Sequence, residues 1–152
     1  MRKVISRLGR FASLSRENKL LLLETLSLMA FVTLGFRLAG VRRTRAALGK
    51  WAEKPRRETG APLDRIRAAR RSLAIVRRGT GIAGTCLSRS FALWAVLRRR
   101  GVETQLQIGY RKRGERFEGH AWLEFEGHPI NEQTAEVATY TLAAGSGRIH
   151  WI

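Results

Sequence analysis

The sequence has few of the residues that would staple a fold or ligate a metal. It contains one cysteine, so no disulfide forms within the chain and the usual multi-cysteine zinc sites are excluded. Acidic residues are scarce, with 12 against 29 lysines and arginines, and only one of them is an aspartate. The 152 residues suffice for one domain with a hydrophobic core, and the 44% hydrophobic content argues against a disordered basic tail.

No uninterrupted apolar run is long enough to span a bilayer. The most apolar stretch, residues 20–38, is broken by Glu24 and has Arg37 near its end, and no signal-peptide cleavage site follows it. We expect a buried helix here, with a membrane- or partner-facing helix as the alternative. The expected localisation is cytoplasmic, with membrane association through helix 20–38 left open.

The positive charge is concentrated in the first two thirds of the chain. Residues 1–100 hold 24 Lys and Arg and five acids, a net +19, whereas residues 101–152 hold five and seven, a net −2. Such a balance favours an anionic partner: nucleic acid, a membrane surface or an acidic peptide. Aromatic residues are not interleaved with the arginines, and no helix-turn-helix or ribonucleoprotein motif occurs. We therefore expect no nucleic-acid partner and keep a basic nucleic-acid-binding module only as an alternative function.

Hydrophobic periodicity predicts helices first and strands afterwards. Helical spacing predicts helices near residues 42–51, 63–78 and 86–100. After Gly101 the period changes to two, which predicts an antiparallel meander of strands over 105–110, 117–125 and 129–133. The charged run 111–116 and Glu126-Gly127 are the expected turns. The tail from Thr134 is ambiguous. The fold class is α+β, with a helical N-terminal region over 1–61 and a core over 62–152.

The single cysteine lies where a Gly-rich loop enters a helix. Thr85 is suited to an N-cap, which places Cys86 in the first helical turn. Unpaired N–H groups and the helix dipole at such a position favour a thiolate, the nucleophilic form, and the same groups can hold an oxyanion. A small buried residue that packs at a helix start is the alternative.

A thiol nucleophile needs a base, and the chain has three histidines. His150 lies near the C-terminus and His128 just after the expected turn. His120 lies inside the second strand, which fixes its side-chain direction firmly. A cysteine on a helix, a histidine on a later strand and an orienting group on the next strand form the pattern of a thiol triad.

The orienting group near His120 must be Asn131, Glu132 or Gln133, because the only aspartate, Asp64, lies in the basic half. A two-residue turn places His120 opposite Gln133, with Asn131 on the same face and Glu132 on the reverse. A three-residue loop with a bulge places His120 opposite Glu132 instead. Both registers pack acceptably, so the residues themselves leave the third member open.

Five blocks of sequence occur in order over roughly residues 63–135. They are Cys86-Leu87-Ser88-Arg89-Ser90-Phe91-Ala92-Leu93, Leu97-Arg98-Arg99-Arg100-Gly101-Val102, Ile108-Gly109-Tyr110, Gly119-His120-Ala121-Trp122-Leu123-Glu124 and Gly127-His128-Pro129-Ile130-Asn131-Glu132. Together they resemble the transglutaminase-like leader peptidases of lasso peptide biosynthesis, the standalone protease form of the B protein. The cysteine and histidine blocks in combination carry most of the specificity.

The resemblance implies a papain/transglutaminase-like core, in which the cysteine begins a helix packed on a small antiparallel sheet. It implies a triad of Cys86 as nucleophile, His120 as base and Glu132 as acid, although the family more often has Asp at the third position. Asn131 is the alternative third member, since an amide orients the imidazole in papain-like enzymes. No cofactor and no metal are implied.

The implied activity is that of a cysteine peptidase that removes the leader from a ribosomally synthesised lasso precursor through a thioester. Another thiol acyl-transferase on the same core is the alternative. The implied partners are the precursor peptide at its leader–core junction, a leader-binding recognition-element protein and an asparagine-synthetase-like lasso cyclase.

Three further residues lie close in sequence to the expected nucleophile and base. Arg89 and Ser90 follow Cys86 by about one helical turn, and Trp122 shares the face of His120. They are candidates for the substrate cleft. The alternatives are a solvated helix face for Arg89 and Ser90, and a core position for Trp122.

Overall fold

The computed structural model describes residues 15–54, 56, 60–82 and 84–143. Helices come first and a small sheet follows, so the predicted α+β class is confirmed. The elements in chain order are α1 (Arg16–Leu38), α2 (Gly40–Ala52), α3 (Pro62–Thr80), α4 (Cys86–Arg99), β1 (Gln105–Arg113), β2 (Arg116–Phe125), β3 (His128–Pro129), α5 (Thr134–Val137) and β4 (Thr141–Leu142). His150 lies outside the described residues.

Helix boundaries follow local capping chemistry. α1 begins after Ser15, whose side chain accepts a hydrogen bond from the backbone N–H of Asn18. α3 begins with Pro62, where a missing N–H costs nothing, and is followed by Gly81 in the left-handed conformation. These ends explain why the four predicted helices are observed with shifts of only a few residues.

One face of α1 belongs to the core. Its buried residues pack against α3 and α4 and include Leu28, Met29 and Val32. The Glu24 carboxylate forms an ion pair with Arg100, whose side chain is only 4% exposed, at the far end of α4. Among the described residues, α1 is the one helix long and apolar enough to cross a membrane, and the same properties fit a core helix.

The opposite face of α1 is exposed and apolar. The five large apolar side chains on this stripe, from 46% to 84% exposed, are Leu20, Leu23, Phe31, Leu34 and Leu38. Their spacing of three, four or multiples of these places them along one side of the helix. The expectation of a buried helix therefore holds for one face, and the other remains available for contact.

The sheet has the strand order β3-β2-β1-β4, and its described neighbours pair antiparallel. The predicted turn over 111–116 is wrong, because β1 and β2 continue until Arg113 pairs with Arg116 and only Gly114 and Glu115 form the turn. The predicted third strand over 129–133 is also wrong, since β3 ends at Pro129. A fourth strand, β4, lies in the tail and pairs with the outer edge of β1.

α4 lies between the other helices and the sheet. Its buried residues run from Ser90 to Leu97 without a break, because one side packs on α1–α3 and the other on β2. This central position holds the start of α4 against the strand that carries the candidate base.

Candidate active site

Cys86 is the first residue of α4 and is partly exposed. The preceding cap is a capping box: the Thr85 hydroxyl accepts the N–H of Ser88 at 3.1 Å, and the Ser88 hydroxyl accepts the N–H of Thr85 at 2.8 Å. In the described part of the chain, the N–H groups of Cys86 and Leu87 have no such partner. The thiol therefore lies beside free backbone donors at the positive end of a helix, as the sequence predicted.

A buried polar bridge joins α4 to the strand of the candidate base. The Ser90 hydroxyl donates to the carbonyl oxygen of Ala121 at 3.0 Å, and Ala121 directly follows His120. Ser90 lies one helical turn after Cys86 and on the same side of the helix. The bridge therefore brings the thiol end of α4 to the part of β2 that carries His120.

Ser90 is a correction to the expected substrate cleft. Its exposed fraction is 0%, so it neither lines a cleft nor lies on a solvated helix face. The hydroxyl that was expected to meet substrate makes internal hydrogen bonds instead. Arg89, the adjacent residue, is only partly buried and remains a candidate for contact with substrate.

The turn between β2 and β3 has the shorter of the two predicted lengths. Glu126 and Gly127 have φ values of 51° and 77°, as a two-residue hairpin turn of the primed type requires. Phe125 pairs with His128, and the N–H of Ile130 donates to the carbonyl of Leu123 at 2.9 Å. The alternative three-residue loop with a bulge is therefore wrong.

Asn131 ends the pairing with β2 by substituting its side chain for backbone. Its Oδ1 accepts the N–H of Leu123 at 2.7 Å, and its Nδ2 donates to the Ser90 hydroxyl at 3.1 Å. Both halves of the amide have partners, and neither partner is the imidazole. Asn131 is therefore a structural residue at this site, not the group that orients His120.

Glu132 reaches His120 because the chain has left the sheet. Its Oε1 lies 3.3 Å from Nε2 of His120, although the two-residue turn would place it on the reverse face of a continuing strand. The side chains are 16% exposed for His120 and 26% for Glu132, so the pair is shielded from most of the solvent. The geometry does not amount to a hydrogen bond, since Nε2 is buried without a hydrogen-bond partner among the described residues.

The imidazole of His120 and two neighbouring aromatic rings, those of Trp122 and Tyr140, form a triangle. The ring centroids are 5.2 Å apart for His120 and Tyr140, and 6.2 Å for both other pairs, His120–Trp122 and Trp122–Tyr140. The His120 ring is within 26° of parallel to each neighbour. Trp122 is 2% exposed and donates its N–H to Glu124 at 2.9 Å. It is thus a core residue that shields the imidazole, and its predicted place in the cleft is wrong.

Tyr140 is the site residue that sequence reasoning missed. It precedes β4, in the tail whose structure was ambiguous. The available signal was Gly109, a glycine inside a strand, which marks the close approach of another chain segment. Partial burial raises the pKa of Tyr140 above its ordinary value, while the positive charge of Arg111 opposes the rise and the negative charges of Glu136 and Glu118 add to it.

The other histidine within the described residues points elsewhere. His128 is exposed, and its Nδ1 is hydrogen-bonded to the backbone oxygen of Glu126 at 2.9 Å. In the described ranges, no group of three or more His, Cys, Asp or Glu side chains could hold a metal ion. Of the two histidines that the structure describes, only His120 combines an adjacent carboxylate with a strand bridged to α4.

A family model described as the transglutaminase-like superfamily matches residues 29–144. The chain belongs to this superfamily. The match begins inside α1 and ends just after β4, so it crosses the predicted boundary at residue 61, and the division into 1–61 and 62–152 stays a prediction. No curated protein and no solved structure matches the chain.

Membership gives the site a chemical context. A transglutaminase-like domain supports a thiol-dependent enzyme, either a peptidase or an acyltransferase. In this transglutaminase-like chain, Cys86 is the only thiol and therefore the only available nucleophile of that kind.

Proposed function

We propose that this transglutaminase-like protein is a cysteine peptidase that uses Cys86, His120 and Glu132. The single observation that carries the proposal is the 3.3 Å approach of Glu132 Oε1 to His120 Nε2, on a strand bridged to the helix that Cys86 begins. With Nε2 directed to the carboxylate, the other ring nitrogen, Nδ1, is the atom that exchanges a proton with the thiol and the substrate.

The first half of the reaction forms a thioester. The Cys86 thiolate attacks the carbonyl carbon of the scissile peptide bond, and the oxyanion is held by the N–H groups at the start of α4. As the C–N bond breaks, the His120 imidazolium gives its proton to the leaving amine. The new α-amine departs, and the acyl group remains on sulfur.

The second half releases the acid. A water molecule gives a proton to neutral His120 and attacks the thioester carbonyl. The C–S bond breaks, the thiolate is restored, and His120 is again protonated. Glu132 stabilises the imidazolium at both stages by the attraction of its negative charge, since its Oε1 lies 3.3 Å from Nε2.

The proposed substrate is a ribosomally synthesised lasso precursor, cut at its leader–core junction. The support is the resemblance of the cysteine and histidine blocks to lasso leader peptidases, together with the basic first two thirds of the chain, which suits an acidic leader or an acidic partner. The proposed partners are a leader-binding recognition-element protein and an asparagine-synthetase-like cyclase that receives the freed core.

The direct test incubates precursor peptide and recognition-element protein with wild-type enzyme and with Cys86→Ala. Mass spectrometry detects the two products, leader and core. We expect them with the wild type and not with Cys86→Ala. His120→Ala should lose release to a similar degree, and Glu132→Gln should slow it by roughly 100-fold or more, by analogy with loss of the acid in other triads. His128→Ala is the matched histidine control. Release by Cys86→Ala at the wild-type rate would refute the proposal.

The same assay separates hydrolysis from amine transfer. A thiol acyltransferase on this core would resolve the thioester with an amine rather than water, and the superfamily match is compatible with either chemistry. Addition of hydroxylamine or a short primary amine in competition with water gives the partition. A product that carries the amine even when the amine is dilute would favour the acyltransferase.

The proposed location is cytoplasmic, with the exposed stripe of α1 in contact with an anionic membrane surface. Five exposed apolar side chains lie along that stripe, and exposed cations follow at Arg37, Arg42 and Arg43. Co-sedimentation with phosphatidylglycerol vesicles should exceed that with phosphatidylcholine vesicles, and Leu34→Ser should reduce it. Equal recovery in the supernatant with both vesicle types would contradict this location.

A further inference from the structure

The imidazole of His120 has a carboxylate nearby, but no other described residue holds Nε2 by a hydrogen bond. Glu132 approaches Nε2 to 3.3 Å without hydrogen-bond alignment, and a glutamate side chain has more rotatable bonds than the aspartate more usual in such triads. The carboxylate can therefore supply charge, while the plane of the ring has to be set by something else. Among the described aromatic rings, the one with its centroid nearest to that of His120 is Tyr140, at 5.2 Å and 26° from parallel.

We propose that Tyr140, fastened by Arg111, is a positioning residue for His120, which it holds by stacking in the orientation that faces Glu132. This inference rests on the proposed function, because it assumes that His120 is the base paired with Cys86. It gives the segment between α5 and β4, which contributes no member of the triad, a role at the site.

Gly109 makes the space that Tyr140 occupies. Gly109 pairs with His120 across β1 and β2, so a side chain there would stand beside the imidazole. A Cβ atom at Gly109 would lie 2.9 Å from Cβ of Tyr140, closer than real Cβ contacts, and 3.0 Å from the Trp122 ring, tighter than most of them. The missing side chain thus lets Tyr140 come over the strand and complete the ring triangle.

Arg111 fastens the segment that carries Tyr140. Its guanidinium lies 4.4 Å above the Tyr140 ring, donates to the Thr139 hydroxyl at 2.8 Å and lies 3.0 Å from the Glu136 carboxylate. The same side chain is bound to Glu118 on β2 at 3.0 Å. One arginine therefore connects the strand of the base to three positions of the C-terminal segment, and the planar cation also stacks on the ring.

The lone cysteine permits a test that needs no precursor peptide. Iodoacetamide alkylates the thiolate, so the alkylation rate across the range from about pH 5 to pH 9 reports how well His120 supports the anion. The charged or titratable groups around the imidazole are Glu132, Tyr140, Cys86, and beyond them Arg111 and Glu118. We expect rapid wild-type alkylation at mildly acidic pH, and loss of that acid-side rate in His120→Ala.

The variants are Tyr140→Ala and Tyr140→Phe, with Tyr110→Ala as the matched control. Tyr110 is the neighbouring β1 tyrosine, 46% exposed, and it pairs with Thr141 of β4. Tyr140→Ala should lower the acid-side alkylation rate about tenfold, as loss of a geometric restraint does, and leave the alkaline rate unchanged. Tyr140→Phe keeps the ring and should retain the wild-type profile, as should Tyr110→Ala. Arg111→Gln should give an intermediate loss.

Circular dichroism and thermal unfolding identify any variant whose alkylation rate changes because it unfolds. Unfolding would change the rate at alkaline as well as at acidic pH. A wild-type profile in folded Tyr140→Ala would overturn the positioning role of Tyr140. It would leave the proposed pairing of Cys86 with His120 untouched. A profile in which Tyr140→Phe behaves like Tyr140→Ala would also overturn it, since the hydroxyl and not the stacked ring would then matter. A wild-type profile in His120→Ala would instead reject the proposed function itself.

Discussion

The ion pair between Glu24 and Arg100 adds a buried polar contact to the apolar face that holds α1 in the fold. Arg100 is 4% exposed and Glu24 12% exposed, so water screens the pair little, and Glu24 also lies 3.9 Å from Arg99. Removing one member of a buried pair typically costs about 3–5 kcal/mol, because the other charge stays buried without its partner. Arg100 keeps a hydrogen bond to the Val96 carbonyl at 3.1 Å, which places Glu24→Ala near the lower end, about 3 kcal/mol.

The assay is urea and thermal unfolding of Glu24→Ala. For a chain of this size each kcal/mol shifts Tm by roughly 2–4 °C, so a loss of about 3 kcal/mol corresponds to roughly 6–12 °C. Glu17→Ala, in the exposed first turn of the same helix, is the control and should cost no more than about 1 kcal/mol. Replacing both partners, as Glu24→Leu with Arg100→Met, should recover most of the loss.

The reasoning would be refuted if Glu24→Ala and Glu17→Ala had equal effects. In that case the pair would contribute no more than a surface ion pair, and the buried apolar face of α1 alone would hold it in the core. A large effect means that α1 cannot cross a membrane without breaking a buried ion pair, so its exposed stripe would meet a membrane only from the side.

Three further predictions concern the surroundings of His120. Asn131→Ala should cost about 1–3 kcal/mol in urea unfolding, because the N–H of buried Leu123 loses its acceptor, whereas Gln133→Ala on the exposed side should be near neutral. Gly109→Ala should lower the free energy of unfolding by roughly 1–3 kcal/mol and slow substrate turnover, because the new methyl group displaces Tyr140. Gly119→Ala is the strand control, since the space around it is open. Equal stability of the two variants would contradict the close approach. Burial raises the pKa of Tyr140, so the neutral phenol is favoured in the folded state. Its contribution to the free energy of unfolding is therefore complete below about pH 10 and is lost as the pH rises further. The free energy of unfolding should therefore fall less for Tyr140→Phe than for the wild type between about pH 9 and pH 11. Equal falls in the two proteins would argue against a partly buried phenol.

The predictions that succeeded depended on local chemistry. Cys86 at the start of a helix followed from Thr85 and the glycine-rich loop before it, since caps and left-handed glycines act over a few residues. The placement of His120 inside β2 followed from alternation, which is also local. Both features could be predicted without knowledge of which elements meet in space.

The features that the sequence left open or missed depend on contacts between distant segments. The two-residue turn was one of the two registers considered, but Glu132 still reached His120, because the side chain of Asn131 replaced backbone pairing and ended the strand. Ser90 was expected in the cleft or on a solvated helix face because it follows Cys86 by about one turn, although α4 is covered on two sides. Tyr140 could not be placed because nothing near it in sequence indicates which edge of the sheet receives β4.

The site has two parts of different construction. His120 and Glu132 belong to a single hairpin and its exit, so their separation is inherited from a short, continuous piece of chain and survives shifts of the hairpin as a whole. Cys86 arrives on a separate element, and the bridge of Ser90 with Ala121 and Asn131 connects the two. An engineer who redesigns this site could therefore move the proposed base and acid together on one hairpin, while the position of the proposed nucleophile would depend on the packing of α4 on β2 and on the Ser90 bridge.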